Sequence, residues 1–266
     1  NKITEYRTML QQWRAWGATT YAGYILGFPN DTKDSILRDI EIIKRELPLD
    51  LLEFFFLTPL PGSEDHQKLL ADGVWMDPDL NKYDLTHRVT HHPRMSDQEW
   101  EDVYRQAWDA YYTPEHMKTV VRRAAAMPNG RPLAKMRVML WFYLMFRIEG
   151  LHPLEGGIFR LKFRKDRRSG MPIEHPAIFY PKYAFEIVRK SAQYGWMILN
   201  AYRAYRQVAG DRSTADYTDI AITPANVDEF DELQLFHDTR GGERAVEKSR
   251  SDSKIRALHA KATANA

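Results

Sequence analysis

TTYAGYILGF, residues 19–28, is an almost continuous run of apolar and β-favouring residues that ends at Pro29. An uninterrupted apolar run of this length is typical of a strand that is buried on both faces, as in a parallel sheet. A second run of this kind, LLEFFFL at residues 51–57, ends at Thr58-Pro59. The two runs therefore predict two buried strands.

The segments around these strands have helical patterns. Between the strands, Thr32 is a good N-cap, and apolar residues from Ile36 to Leu47 recur at helical spacing. Helical patterns also cover residues 4–16 and a short stretch that ends near Gly73. Helices and strands that alternate in this way are typical of βα repetition in a larger parallel sheet or barrel. We predict an α/β fold with further strands, because two strands cannot form such a core alone.

The chain downstream of residue 76 is predicted to be mainly helical. Ser96 and Glu99 have the spacing of a capping box, which predicts a long helix to about Ala126. Two further helices are predicted at residues 133–148 and 181–208, with a β-like stretch between them at residues 156–163. We therefore divide the chain into three regions: the strand-containing residues 1–76, a helical extension at 77–209, and an acidic then basic tail at 210–266 that we expect to be disordered.

Composition excludes several classes of protein. The 266 residues carry a formal net charge of +2, so no overall charge bias favours nucleic acid or lipid. The absence of cysteine excludes disulfides, thiolate zinc sites and an ordinary iron–sulfur cluster within the chain. No signal peptide is recognisable, and the longest apolar run, residues 138–146, is shorter than the ~20 residues of a spanning helix. We expect a cytoplasmic protein.

The chain opens on Asn1 and runs directly into a helical pattern. We therefore expect it to be cut from a longer polypeptide, with a processed terminus as the alternative.

Two glycines interrupt the first apolar run. Gly23 and Gly27 are four residues apart, so on one strand they would point to the same face, with Ile25 between them. A glycine in a buried strand marks the close approach of another backbone or of a ligand. Gly27 also lies near the carboxyl end of the predicted strand, where βα folds bind their ligands. The residues alone leave sheet packing and ligand binding equally open.

The same residues resemble a known motif. Gly23, Ile25 and Gly27 resemble the GxIxGxxE strand of the radical S-adenosylmethionine (radical SAM) enzymes, although Asn30 stands at the final acidic position. Further segments resemble the branch with an amino-terminal cobalamin-binding domain: GYILGFPNDT at 23–32, LTPLPGS at 57–63, Tyr83-Asp84, His87, HPRMS at 92–96, HPLEGG at 152–157 and RRSGMPIE at 167–174. The resemblance covers roughly residues 5–205, and the CxxxCxxC loop of that superfamily is absent from the chain.

The resemblance implies that the chain is the carboxyl-terminal part of such an enzyme, inactive alone. It implies the last two strand–helix units of a partial six-stranded βα barrel, followed by a mostly helical extension. The partner would be the missing amino-terminal half of the same polypeptide, which would hold a 4Fe–4S cluster and cobalamin. The residues that the resemblance places beside the cofactor S-adenosylmethionine are Gly23, Ile25, Gly27, Thr58 and Pro59.

The chemistry that the resemblance implies is hydrogen abstraction. The cluster would reduce S-adenosylmethionine, and the resulting 5′-deoxyadenosyl radical would take hydrogen from a small or lipid-like organic substrate. Methyl transfer and rearrangement both stay open as the outcome. No nucleic-acid partner is expected, and a peripheral membrane contact is compatible with this interpretation.

A second hypothesis treats the chain as a non-catalytic helical module. Residues 160–168 carry six basic side chains and one acidic side chain, Asp166. Such a stretch could dock on a membrane surface or on nucleic acid. A solvent-exposed basic turn is the simpler interpretation.

Three histidines have a metal-like spacing. His87, His91 and His92 would lie close together on a helix, but no carboxylate completes a recognised ligand pattern. Solvated or pocket-lining histidines are the simpler interpretation, so no metal site is assigned.

Overall fold

The predicted strand–helix–strand unit is present. The computed structural model describes residues 5–157, 161–167, 169–224 and 233–264. Within those ranges the sheet has two parallel strands, β1 (Tyr21–Leu26) and β2 (Leu51–Phe56), which helix α2 (Lys33–Glu46) connects. Tyr21 pairs with Leu51, and the register continues to Leu26 and Phe56. The chain is thus an α/β protein in which helix predominates.

Helix α2 begins and ends where the sequence predicts. The hydroxyl of Thr32 accepts a hydrogen bond from the backbone N–H of Ser35, and the Ser35 hydroxyl accepts one from the N–H of Thr32. This reciprocal capping box satisfies two of the N–H groups that a helix start leaves free. Ile36 and Ile40 are fully buried against the sheet side of the core, and the helix ends before Pro48.

The two faces of the sheet have different surroundings. On one face, Phe54 and Phe56 of β2 pack against the helix that follows Ser96. On the other face, Tyr21 is 47% exposed and Ile25 is 46% exposed. The prediction that β1 is buried on both faces is therefore wrong for this chain. Within the described ranges, only two strands build the sheet, and two strands are too few to curl around and cover that face.

The amino ends of both strands are held by a buried ionic network. Asp50, which is fully buried just before β2, pairs with Arg14 of helix α1 (Tyr6–Ala15) and with Lys135 at 2.7 Å. The carboxylate oxygen that pairs with Lys135 also accepts a hydrogen bond from the N–H of Thr20 at 2.8 Å. Burial lowers the pKa of Lys135 even though Asp50 opposes that effect. Because the network lies at the opposite end from the ligand-binding edge of parallel strands, its role is structural.

The predicted long helix from Ser96 to Ala126 is wrong, because it is two helices. They are α4 (Asp97–Tyr111), with the predicted capping box at Ser96 and Glu99, and α5 (Pro114–Ala125). A short helix, α3 (Glu64–Ala71), precedes them as predicted. Pro114 is the reason for the break, since proline disfavours helical geometry in the residue before it. Thr113 is accordingly extended, and its hydroxyl caps α5 by accepting a hydrogen bond from the N–H of His116.

Two longer helices follow. Helix α6 (Pro132–Leu144) continues into a π-helical turn, Met145–Glu149, and helix α7 spans Pro176–Ala209. The strand predicted at residues 156–163 is wrong at both of its ends, where the chain is irregular, and residues 158–160 lie outside the described ranges. No described helix is both long and apolar enough to cross a lipid bilayer.

Aromatic side chains of α4 form the centre of the core. The ring of Trp108 lies edge-on to Phe54 at 5.5 Å and is stacked on Phe146 at 4.4 Å between centroids. Tyr104 is stacked on Phe56 at 4.4 Å. Each fully buried ring of this kind contributes about 1.5–3 kcal/mol through the hydrophobic effect, so this layer fixes α4 against the sheet.

The expected disorder of residues 210–266 is wrong for most of that region. Helices α8 (Gln234–His237) and α9 (Arg240–Ala264) are present, and Leu235 and Phe236 are buried in the main core. The buried carboxylate of Glu46 accepts hydrogen bonds from the N–H groups of Gln234 and Leu235 at 3.1 and 2.7 Å. The short apolar run LQLF is sufficient to dock this segment despite the polar residues around it. Residues 225–232, 265 and 266 lie outside the described ranges.

Candidate functional site on the open face of the sheet

The exposed face of the sheet collects one set of side chains from each strand. The parallel register places Tyr21, Gly23 and Ile25 of β1 opposite Leu51, Glu53 and Phe55 of β2. Alternate residues of a strand share a face, so these six form one surface, which we call the open face.

Glu53 is a buried carboxylate in the middle of the open face. Its side chain is 1% exposed, accepts a hydrogen bond from the hydroxyl of Tyr21 and lies 2.6 Å from Nε2 of His152. Burial, together with the hydrogen bond to Glu53 and its charge, raises the pKa of the Tyr21 hydroxyl above its ordinary value. A buried carboxylate is tolerated only when it is paired in this way. The three side chains therefore form a polar centre on an otherwise apolar strand pair.

A small polar cavity adjoins this centre. It has a volume of about 280 Å³ and is lined by Phe55, Asp84, Leu85, Thr86, His87, Gly150, Leu151, His152 and Glu155. Nδ1 of His87 lies 2.8 Å from a carboxylate oxygen of Asp84. Burial raises the pKa of Asp84, but hydrogen bonds from His87 and Thr86 outweigh it and hold that pKa below its usual value. The cavity thus offers an ionised carboxylate and two imidazoles to a ligand.

Leu85 joins the wall of this cavity to the edge of β2. Its backbone carbonyl accepts a hydrogen bond from the N–H of Phe56 at 2.8 Å. Its φ of +68° lies in the left-handed region, which a bulky residue rarely adopts. Backbone strain of this kind persists only where the surroundings impose it, and it is concentrated at functional sites.

The predicted cofactor residues fall into two groups. Gly23 and Ile25 are exposed on the open face, whereas Gly27 and Pro59 are buried. Thr58 is partly buried, and its hydroxyl donates to the carbonyl of Phe56 at 3.1 Å. The ladder bond from the N–H of Leu57 to the carbonyl of Leu26 keeps the two strand ends adjacent, so Gly27 and Thr58 lie at one edge of the sheet.

The expectation that Gly23 and Gly27 share a face is wrong. β1 ends at Leu26, and Gly27 turns away from the strand with a φ of +101°. A β-carbon at Gly27 would lie 2.2 Å from the ring of Trp100, on the helix-covered side. A β-carbon at Gly23 would instead lie 2.8 Å from the ring of Phe55, on the open face. Gly27 is thus required by the local backbone and by the close packing of Trp100.

The loop after β1 is held from two sides. The carboxylate of Asp31 accepts hydrogen bonds from the N–H groups of Gly27 and Phe28, each at 2.9 Å. Nε2 of His92 donates to the carbonyl of Phe28 at 2.9 Å, while its Nδ1 accepts from the backbone N–H of Met95. His92 therefore has a structural role.

The other two histidines have separate partners. His91 is stacked on Trp75 and binds Asp97, and His87 binds Asp84. Among the described residues, no group of three or more histidine, cysteine or acidic side chains has the geometry of a metal site.

No protein-family model, curated protein or solved structure matches this chain.

The surface around Gly23 and Ile25 is more accessible to a ligand than the edge at Gly27 is. Gly23 leaves the strand backbone accessible, and Ile25 and Phe55 offer apolar contacts beside it. Gly27 and Pro59, by contrast, are covered by the chain's own side chains. Gly23 and Ile25 are thus the members of the predicted set that a ligand could reach.

Tyr21, Glu53 and His152 were not predicted as site residues. Glu53 had a signal in the sequence, because it is the one charged residue within LLEFFFL. A charged residue on a buried strand is rare unless it is paired or functional. His152 has no such signal, because its approach to Glu53 depends on a contact across 99 residues of chain.

Proposed function

We propose that this chain is the carboxyl-terminal part of a radical SAM enzyme and that its open face lines the substrate cavity. One observation carries the proposal. Three segments that resemble that superfamily, at residues 23–25, 83–87 and 152–157, meet at the open face and its adjoining cavity. The three segments are distant in sequence, and a shared functional site would explain why they lie together in the fold.

The two-stranded sheet supports the same proposal. A parallel sheet is normally covered on both faces, yet here Tyr21, Gly23 and Ile25 are exposed. Further strands beside β1 would extend the sheet and enclose the open face. A barrel of which β1 and β2 are the last two strands has this property.

The cofactor, when bound, would supply hydrogen-abstraction chemistry, and this chain would supply the surroundings. Tyr21 and His152, which the buried carboxylate of Glu53 holds in position, would bind a polar group of the substrate. Asp84 and His87 form a second polar pair across the cavity. A volume of about 280 Å³ suits a small organic group rather than a polymer.

The test begins with the DNA that precedes the coding sequence. We expect an in-frame continuation that encodes CxxxCxxC, and the polypeptide that includes it should assemble a 4Fe–4S cluster under anaerobic reconstitution. The 266-residue chain is the matched control, because it has no cysteine and should assemble none. A start codon with its own promoter directly upstream would contradict the proposal.

A further inference from the structure

Helix α7 exposes an apolar stripe on the side that faces away from the core. Its buried residues, which include Tyr194, Ala201 and Val208, lie on one side. The apolar stripe consists of Ile178, Phe185, Val188, Trp196 and Leu199, which are between 46% and 69% exposed. Successive members are seven, three, eight and three residues apart, which keeps them on one line along the helix.

The segment before α7 also exposes apolar side chains. Lys162 pairs with Glu186 of α7 at 2.6 Å, and Lys182 of α7 pairs with Glu174 at 2.5 Å. These ion pairs hold the segment alongside the first half of the helix. The segment exposes four more large apolar side chains, Leu161, Phe163, Met171 and Ile173. Exposed apolar side chains in this number are typical of an interaction surface.

Positive charge surrounds the apolar stripe. Residues 160–190 carry nine basic and three acidic residues. Two of the acids, Glu174 and Glu186, are already shared by pairs of basic side chains. In the described part of the chain, Lys165 and Arg189 are exposed and form no ion pair. The surface therefore carries positive charge that its own acids leave uncompensated.

We infer that this surface docks on an anionic phospholipid membrane. Apolar side chains flanked by lysine and arginine are the pattern of a helix that lies in the headgroup region. Tryptophan favours the same depth, and Trp196 of the stripe is 68% exposed.

Other occupants fit the surface less well. A second copy of the chain would bring like charges together, which opposes association. A nucleic acid would match the basic residues but would leave the apolar stripe in water. A membrane satisfies both features, and it requires no spanning helix.

A groove next to the stripe is compatible with the same partner. It has a volume of about 1110 Å³ and is lined by side chains of α4–α7, among them Met136, Leu140, Trp196 and Met197. Trp196 thus belongs both to the stripe and to the wall of an apolar groove that opens beside it. This inference is independent of the radical SAM proposal, because it uses neither the open face nor a cofactor.

The experiment is co-sedimentation of the 266-residue chain with vesicles of phosphatidylcholine, with and without a third of phosphatidylglycerol. We expect binding to the anionic vesicles only. The double variant Phe185→Glu, Val188→Glu should bind at least roughly tenfold more weakly, since it loses two inserted apolar side chains. Lys165→Glu with Arg189→Glu should weaken binding to a comparable extent, as should high salt.

The matched control replaces two apolar residues that are equally exposed elsewhere. Leu70→Glu with Leu80→Glu should bind anionic vesicles as the parent does. Circular dichroism of each variant establishes that it is folded. Absence of vesicle binding by the parent, or equal loss in the control, would overturn the inference. So would a stripe variant that dissociates an oligomer while vesicle binding persists, because the occupant would then be a second copy.

Discussion

The substitution Gly27→Ala tests whether Gly27 is required for close packing in the fold. The structure determines how much unfolding free energy the variant should lose. The backbone at Gly27 has a φ of +101°, which an alanine adopts only at a cost of about 1–2 kcal/mol. The added methyl group would lie 2.2 Å from the ring of Trp100, which is 2% exposed. Trp100 is confined by Phe56 and His92, so overpacking adds about 1–3 kcal/mol.

The expected loss for Gly27→Ala is therefore about 2–5 kcal/mol of unfolding free energy. For a chain of this size, that corresponds to a fall of about 5–15 °C in melting temperature. The assay is thermal unfolding followed by circular dichroism at low protein concentration.

Gly62→Ala is the matched control for this assay. Gly62 has a φ of +86°, but a β-carbon there would meet no atom within 4 Å. The control should lose only about 1–2 kcal/mol of unfolding free energy, which is the cost of placing an alanine at a positive φ. If both variants melt at the same temperature, Trp100 does not pack closely on Gly27, and the assignment of Gly27 to packing is refuted.

Three more predictions concern buried ionisable groups. Asp50→Asn should destabilise the chain by about 3–5 kcal/mol, because it leaves Arg14 and Lys135 buried without their counter-charge; urea unfolding measures this, with exposed Asp166→Asn as a neutral control. Burial lowers the pKa of His116 well below 6.5, so the unfolded chain binds a proton first as the pH falls. The contribution of His116 to the unfolding free energy should therefore be constant above about pH 6.5. Below about pH 6.5 it should fall by up to about 1.4 kcal/mol per pH unit. His116→Phe should remove that pH dependence. If the unfolding free energies of the parent and the variant vary with pH in the same way, the prediction is contradicted. Glu53→Gln keeps an acceptor for Tyr21 but removes the charge. In the polypeptide that joins the upstream sequence to this chain, it should therefore lower substrate turnover at least roughly tenfold while 5′-deoxyadenosine still forms. An unchanged turnover would show that Glu53 is only structural.

The local structure around β1, α2 and β2 could be predicted because its signals are local. The capping residue Thr32, the stop at Pro48 and the two apolar runs each act within a few residues. The turn at Gly27 could not be predicted in the same way. Its direction depends on Trp100, which is distant in sequence and packs against the turn only in the folded chain.

Two other errors have different physical causes. The break between α4 and α5 had a local signal, Thr113-Pro114, which outweighs the continuous helical pattern on both sides of it. The docking of α8 had almost none, since four residues are too few to stand out in a polar region. Glu46 also stabilises that segment by accepting hydrogen bonds from its backbone N–H groups, which no side-chain pattern reveals.

The polar centre of the site could not be predicted from the sequence either, because tertiary contacts assemble it. Glu53 is recognisable as a charge on an apolar strand, but its partners come from β1 and from a loop near residue 152. Only the register of the strands and the return of that loop bring the three side chains together. The chemistry of a site assembled by tertiary contacts is thus predictable in part, one residue at a time.

Formation of 5′-deoxyadenosine tests most directly whether the open face belongs to a radical SAM barrel. The polypeptide that joins the upstream sequence to this chain, reconstituted anaerobically and supplied with reductant and S-adenosylmethionine, should produce 5′-deoxyadenosine. Gly23→Val, which projects a branched side chain onto the open face, should weaken S-adenosylmethionine binding in calorimetry, whereas Gly62→Ala should not. A cluster-loaded polypeptide that binds no S-adenosylmethionine and yields no 5′-deoxyadenosine would contradict the account.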